Sequence, residues 1–181
     1  MCLFKRKKNE QMMISRINEI IADSGYQLVL YKKDYNFSII ILVIDMLENF
    51  NITSLVLKRH VKISVYLPKH YNENNNPYNS IFLLDGQNIF FDNYADNGVS
   101  MKLANTLDEN NADVIVFAIH SPKNPDWRLS EFIPFDTNNS NLDNTLAYKF
   151  VDFFEETLIP LLEFRYRLND NKAIIGFNEG A

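Results

Sequence analysis

Lys172-Ala173-Ile174-Ile175-Gly176-Phe177-Asn178-Glu179-Gly180-Ala181 is the stretch whose reading decides the fold. A short apolar strand, Ala173 to Ile175, runs into Gly176-Phe177-Asn178-Glu179-Gly180. The frame is G-x-S-x-G, a nucleophile elbow, with asparagine standing where serine is expected. In such an elbow the strand ends in a sharp turn whose tip residue is held at positive φ. The two flanking glycines are expected because a Cβ there would clash with the adjacent strand and helix. Asparagine tolerates positive φ better than most residues, so the turn survives the change. The chemistry does not, because a carboxamide has no hydroxyl for a base to deprotonate.

Working outward, the segments before this stretch alternate in character. Val61, Ile63, Val65 and Leu67 alternate with Lys62, Ser64 and Tyr66, which predicts a half-buried strand ended by Pro68. Ser54 to Lys58 reads as a short strand before it. Ser80 to Leu84 and Asp113 to Ile119 are continuous apolar runs, as strands buried on both faces should be. Gly98 to Asn110 predicts a helix turning Val99, Leu103, Ala104 and Leu107 inward. Leu142 to about Leu168 predicts a long helix with a wide apolar face, kinked or split by Pro160. Between them lies a long loop, His120 to Asn141, and a loop of that length is usually functional. Strands alternating with helices in this order predict an α/β fold with a mostly parallel sheet flanked by helices.

The first residues are harder to place. Glu10 to Asp23 has helical spacing, Gln27 to Lys32 and Phe37 to Ile44 read as a hairpin, and Asp45 to Asn51 reads as a connector or short helical turn. We divide the chain into residues 1–51, an N-terminal extension of unclear status, and residues 52–181, the main domain.

Bulk properties exclude several classes. The chain of 181 residues has a net charge of -5 and a pI near 5.2, which argues against nucleic-acid binding. The early run Lys5-Arg6-Lys7-Lys8 is followed by Asn9-Glu10-Gln11 and not by an apolar stretch, so it does not open a signal peptide. The longest apolar run, Ile39 to Ile44, is too short to span a bilayer. The single cysteine, Cys2, rules out an intramolecular disulfide and fits a reducing cytoplasm. No histidine or carboxylate pair has metal-ligand spacing, so neither a metal nor another cofactor is expected.

Several segments in one order carry a resemblance: V-K-I-S-V-Y-L-P-K-H-Y, I-F-L-L-D-G-Q-N-I-F, V-I-V-F-A-I, W-R-L-S-E-F-I-P-F-D, L-I-P-L-L-E-F-R-Y-R and I-I-G-F-N-E-G-A. Together they resemble the esterase family of α/β-hydrolases, which includes enterochelin esterases, S-formylglutathione hydrolases, feruloyl esterases and mycolyltransferases. The D-G-Q-N form is most similar to the enterochelin-esterase-like branch, and the likeness covers about Ile52 to Ala181. It implies carboxylic ester hydrolysis through a serine acyl-enzyme, with Asn178 at the substituted nucleophile position. The Glu179 backbone N–H matches one oxyanion donor, and Gly86 or Gln87 is the candidate for the second. Asp85, Asn88, Trp127, Arg128 and Glu131 are the candidate substrate-binding residues. Asp85 also reads as a turn residue bracing the oxyanion loop, and Arg128 with Glu131 as an ion pair pinning the long loop. Phe90, Phe91 and Trp127 either line an acyl or aryl pocket or close the core. The family's acid and histidine follow the elbow, in chain order nucleophile, acid, histidine, beyond the last residue here. His120 as a base would be in the wrong chain order and reads as a loop histidine; His60 and His70 read as surface residues.

Three functions emerge as expectations. The first is an esterase-like protein, truncated after the elbow and inactive as this chain. The second is a non-catalytic protein that holds an ester or acid ligand in the retained crevice. The third is an enzyme using other residues. The resemblance also implies an unpaired strand edge, to be covered by another copy, a second chain or the N-terminal segment.

Overall fold

The computed structural model describes residues 47–134, 145–177 and Gly180. The expected N-terminal helix and hairpin, the middle of the long loop, and Asn178 and Glu179 at the elbow tip lie outside the described residues. The chain divides into two compact units, Met1–Glu48 and Asn49–Ala181. The described residues belong to the second unit, apart from Leu47 and Glu48, which lead into its first strand.

Five strands form one mixed sheet: β1 Leu47–Ser54, β2 Arg59–Tyr66, β3 Tyr78–Leu84, β4 Val114–Ile119 and β5 Leu168–Ile175. Their spatial order is β1-β2-β4-β3-β5. β3 runs parallel to both β4 and β5, and β2 runs antiparallel to β4. The registers Leu84↔Ile119, Leu83↔Ile175 and Ile63↔Ile119 bring four elements to one rim. There the ends of β3, β4 and β5 meet the beginning of β2. In open α/β sheets this carboxyl rim is where ligands bind.

The core explains why these strands form. Val61, Ile63 and Val65 of β2, Phe82 and Leu84 of β3, and Ile115, Phe117 and Ile119 of β4 share one buried cluster with Phe150, Phe153, Phe154, Leu158 and Leu162. Phe82 stacks on Phe117 with ring centroids 5.2 Å apart and meets Phe154 edge-on at the same separation. Burying each such ring contributes roughly 1.5–3 kcal/mol. The opposite face carries Tyr66, whose hydroxyl donates to Asp108 Oδ1 at 2.8 Å on helix α1, Leu103–Glu109.

The C-terminal helical region is one run in three parts: α3 Thr145–Asp152, a wider π segment Phe153–Leu158, and α4 Ile159–Arg165. Pro160 therefore neither breaks nor ends the run. The Ile159 N–H reaches Phe154 O, and this wider turn accommodates the ring and the missing donor of the proline that comes next. No helix among the described residues is long and apolar enough to cross a membrane.

Four local expectations need correction. The predicted connector at Asp45–Asn51 is largely strand, because β1 begins at Leu47. In place of the predicted strand Ser54–Lys58, Ser54 ends β1 and residues 55–58 are a turn, with Lys58 at φ 52° and Leu55 exposed. β2 is buried on both faces from Ile63 onward: Ile63 and Val65 belong to the core cluster with Phe150, Phe153 and Leu158, and Tyr66 on the other face reaches Asp108 of α1. The helix predicted from Gly98 begins only at Leu103, and Val99 points outward at 72% exposure.

Candidate functional site

β3 ends at Leu84 and the chain turns at Asp85, which adopts the left-handed conformation, φ 55° and ψ 43°. A single turn, Gly86–Asn88, comes next. The Asn88 and Ile89 N–H groups close back on the Asp85 and Gly86 carbonyls at 3.0 and 3.3 Å. The N–H groups of Gly86 and Gln87 stand outside the turn's own bonds, as the first donors of any helical turn do. Gly86 is a steric requirement. A Cβ there would lie 2.3 Å from the Ala118 carbonyl carbon and 2.5 Å from the Ile119 nitrogen, both backbone of β4. The same test at Gly180 gives 3.6 Å to Leu84 and Phe132, an ordinary contact. The clash expected at that second elbow glycine is absent.

The Gln87 side chain is a strut and leaves its amide fully engaged. Its Nε2 donates to Asp96 Oδ2 at 3.1 Å and to Ser121 Oγ at 2.9 Å, while Oε1 accepts from the Ser121 N–H at 3.1 Å. Asn88 Nδ2 also donates to Asp96 Oδ2, and Asn88 Oδ1 accepts from the Asp96 N–H, each at 2.9 Å. The turn after β3 is thereby tied to the segment after β4 and to the loop carrying Asp96.

The long loop is not irregular throughout. Its described part contains helix α2, Pro125–Phe132. Asn124 caps it by accepting from the Trp127 N–H at 3.0 Å, and Pro125 sits at the first turn. This is the N-terminal signature that Asn-Pro offers in the sequence.

Arg128 and Glu131 do not pair with each other, although their spacing implies it. Arg128 grips Asp85 with two bonds, Nε to Oδ1 at 2.8 Å and Nη2 to Oδ2 at 2.5 Å. Glu131, 3% exposed, takes Arg59 in the same forked way, both bonds 2.7 Å. The helix is thus riveted to the end of β3 and to the start of β2. Burial works against the Asp85 charge, but hydrogen bonds from Arg128 and Ser121 and the Arg128 charge outweigh it. They hold the carboxyl below its usual range.

Two cavities open on the rim. One, of about 600 Å³, is lined by Asp85, Asn88, Asp96, Ser100, Arg128 and Phe177, among others. Phe177 immediately precedes the elbow tip and is 40% exposed, and the Gly180 N–H reaches back to the Phe177 carbonyl at 3.0 Å. Of the candidate binding residues, Asp85, Asn88 and Arg128 therefore share this crevice. Trp127 lines the other cavity, and Glu131 lines neither. Phe90 is buried.

The second cavity, of about 860 Å³, lies toward β2 and includes Arg59, Lys62, Tyr94, His120, Lys123 and Trp127. His120 is buried and within 2.9 Å of Ser64 Oγ. The pair resembles a base and a nucleophile, but the protons run the other way. Ser64, fully buried, gives its hydroxyl hydrogen to Asn49 Oδ1 at 2.6 Å, so His120 Nε2–H donates to the serine. Burial, then the charges of Lys62 and Arg59, lowers the His120 pKa to about 4 and keeps the ring neutral. His60 and His70 are exposed, bonded to Thr53 and Glu73. The chain's three histidines are accounted for, and the crevice beneath Phe177 has none. Nothing in the sequence singles out Arg59 or Ser64; their partners lie 72 and 56 residues away, where local patterns carry no signal.

This sheet order, with turns and cavities gathered at the carboxyl rim, defines a fold of the α/β-hydrolase type. The family model described as "Putative esterase" matches residues 54–181. The chain belongs to that esterase family. Its structure is similar to an IroE-like serine hydrolase from Shewanella oneidensis, with 22% identity, 74% of this chain and 43% of that chain covered, and a TM-score of 0.59. It is also similar to the siderophore hydrolase EstB from Aspergillus nidulans, with 19% identity, coverage of 78% and 52%, and a TM-score of 0.55. For the BES protein from Bacillus cereus the values are 18%, 84%, 56% and 0.56. At these identities the likeness is one of fold. The chain spans about half the length of these solved structures. No curated protein matches it.

Proposed function

We propose that this chain is an esterase-family domain that holds a carboxylic ester, or the acid derived from it, in the crevice beneath Phe177 without turning it over through an acyl-enzyme. The observation that carries this reading is the make-up of that crevice. It keeps Asp85 and Arg128 locked at the turn after β3, and the Gly86 and Gln87 N–H groups of that turn are the oxyanion donors of this reading, while the Gln87 side chain lines the neighbouring cavity. It lacks any of the chain's histidines, and the sequence offers Asn178 where a nucleophile would stand. Without a hydroxyl at position 178, oxyanion donors can polarise a bound carbonyl but no acyl-enzyme forms there. Hydrolysis through a serine is the ancestral reaction on this reading, and the chain is a pseudoenzyme. A cytoplasmic location suits its single cysteine, Cys2.

A p-nitrophenyl ester assay on the full chain tests the reading. The wild type and Asn178→Ala are expected to match the uncatalysed background, and Asn178→Ser alone is expected not to reach full activity. Wild-type turnover that disappears in Asn178→Ala would make the asparagine part of a working site and overturn the proposal. Ester binding without turnover, measured by calorimetry, is the result that supports ligand holding.

A further inference from the structure

The loop between Asn88 and Leu103 forms one wall of the crevice beneath Phe177, through Asp96, Asn97, Val99 and Met101. Its base is fixed. The Met101 N–H donates to the Asn88 carbonyl at 2.8 Å, and the Leu103 N–H to the Ile89 carbonyl at 3.2 Å. Inside that closure Asp92 Oδ1 accepts from both the N–H and the hydroxyl of Ser100, each at 2.8 Å. The tip is held less. It is the turn Ala95-Asp96-Asn97-Gly98, closed by the Gly98 N–H on the Ala95 carbonyl at 3.0 Å.

Asn97-Gly98 is the chain's single Asn-Gly pair. Both residues are exposed, and the Asn97 carboxamide has no hydrogen bond to any described residue. Gly98 sits at φ 70° with nothing within 4 Å of where a Cβ would stand, so no side chain shields its nitrogen. Only the bond to Ala95 restrains that nitrogen. One exposed turn bond slows an attack that needs it open by about tenfold at most. Asn79, followed by Ser80, is the contrast: it lies within β3, and its Oδ1 is taken by the Asn169 and Asn171 amides.

We propose that Asn97 is a self-modifying site, which deamidates through a cyclic imide with Gly98 and places a new carboxylate in the crevice. The Gly98 nitrogen gives its proton to solvent and bonds to Asn97 Cγ. The Cγ–Nδ2 bond breaks, and Nδ2 leaves as ammonia. Water then opens the ring. Attack at Cγ gives aspartate; attack at the Asn97 main-chain carbonyl gives isoaspartate, whose main chain is one carbon longer. The new carboxylate adjoins Asp96, whose Oδ2 already accepts from Gln87 and Asn88 and which has no ion pair with any described residue. Two like charges on one wall disfavour an anionic occupant. The fixed base of the loop confines the change to that wall. The chemical step stands alone; its effect on occupancy rests on the ester-holding reading.

The full chain is kept warm in mildly alkaline buffer and mapped by peptide mass spectrometry, with isoaspartate counted by enzymatic methylation. Asn97 is expected to convert faster than Asn79 by about tenfold or more. Asn97→Gln, whose longer side chain would have to close a larger ring, should show no conversion at that position. Asn97 that stays intact, or converts no faster than Asn79, overturns the proposal. Calorimetry with butyrate and ethyl butyrate then reads the crevice. Butyrate should bind the aged protein, and Asn97→Asp, about fivefold or more weakly than the fresh protein, with ethyl butyrate less affected. Converted protein that binds butyrate as before overturns the effect on the crevice. Fresh protein that binds neither ligand overturns the ester-holding reading and leaves the deamidation standing.

Discussion

The two sides of the candidate site are built differently. The Asp85–Asn88 turn springs from β3, which is flanked by strands on both sides, and is clamped by Arg128 and by the Gln87 amide. The elbow sequence continues from β5, which has one partner among the described strands and a pattern that is exposed along most of its length. Ile174 and Ile175 are 58% and 42% exposed. On the proposed reading, the donors for a bound carbonyl are anchored in the core, and the strand leading to the nucleophile position is the outermost of the described strands. Half of a site can be rigid while the other half depends on what lies against it.

The sharpest way to break this contrast is Gly86→Ala. The added carbon overlaps β4 backbone, which cannot move aside as a side chain can. We expect failure to fold or a loss of about 4 kcal/mol, among the larger single-residue effects, measured by urea unfolding. A near-neutral result would mean that the turn is as loosely held as the outer strand.

His120 gives an intermediate effect that depends on pH. Its folded pKa is about 4 against an ordinary 6.5, so the unfolded chain binds a proton that the folded one refuses. The stability is full above pH 6.5 and is lost as pH falls toward 4, by on the order of 2–3 kcal/mol. Unfolding midpoints across this range should slope downward on acidification, and His120→Gln should flatten the slope. An unchanged slope in that variant would place the proton elsewhere.

Ile174→Lys should have the smallest effect on stability, within about 0.5 kcal/mol, because the side chain already faces water. Its effect should fall on association. An open apolar edge templates pairing, and a lysine on it discourages that. Sedimentation should show self-association of the wild type that the variant relieves. A wild type that stays monomeric at high concentration would mean that the edge is already covered.

Much of the fold is legible in the residues, and for a physical reason. Ser80–Leu84 and Asp113–Ile119 are apolar on both faces, and only a sheet covered twice can bury such runs. β1 escapes such a reading because Leu47-Glu48-Asn49-Phe50-Asn51-Ile52 dilutes its apolar residues with asparagines at the edge of the sheet, where pairing outweighs propensity. The site is half legible. Gly86 and Gln87 stand at the end of β3, where the apolar run stops, and Gly86 packs directly on β4 backbone. The partners of Arg128 and Glu131 are hidden, since three-residue spacing on a helix suggests a local pair while both side chains reach to distant strands. Asn124-Pro125 does carry the signal for α2, and attention to capping would find it.

The two rivets on α2 also bear on time. They join residues 43 and 72 positions apart, so one closes only once the end of β3 is in place and the other only once β2 is. We expect contacts of that span to form after the nucleus, so that removing them chiefly quickens unfolding without slowing the approach to the native state. On that expectation the small helix is a latch, setting how long the rim stays assembled rather than how fast it is made.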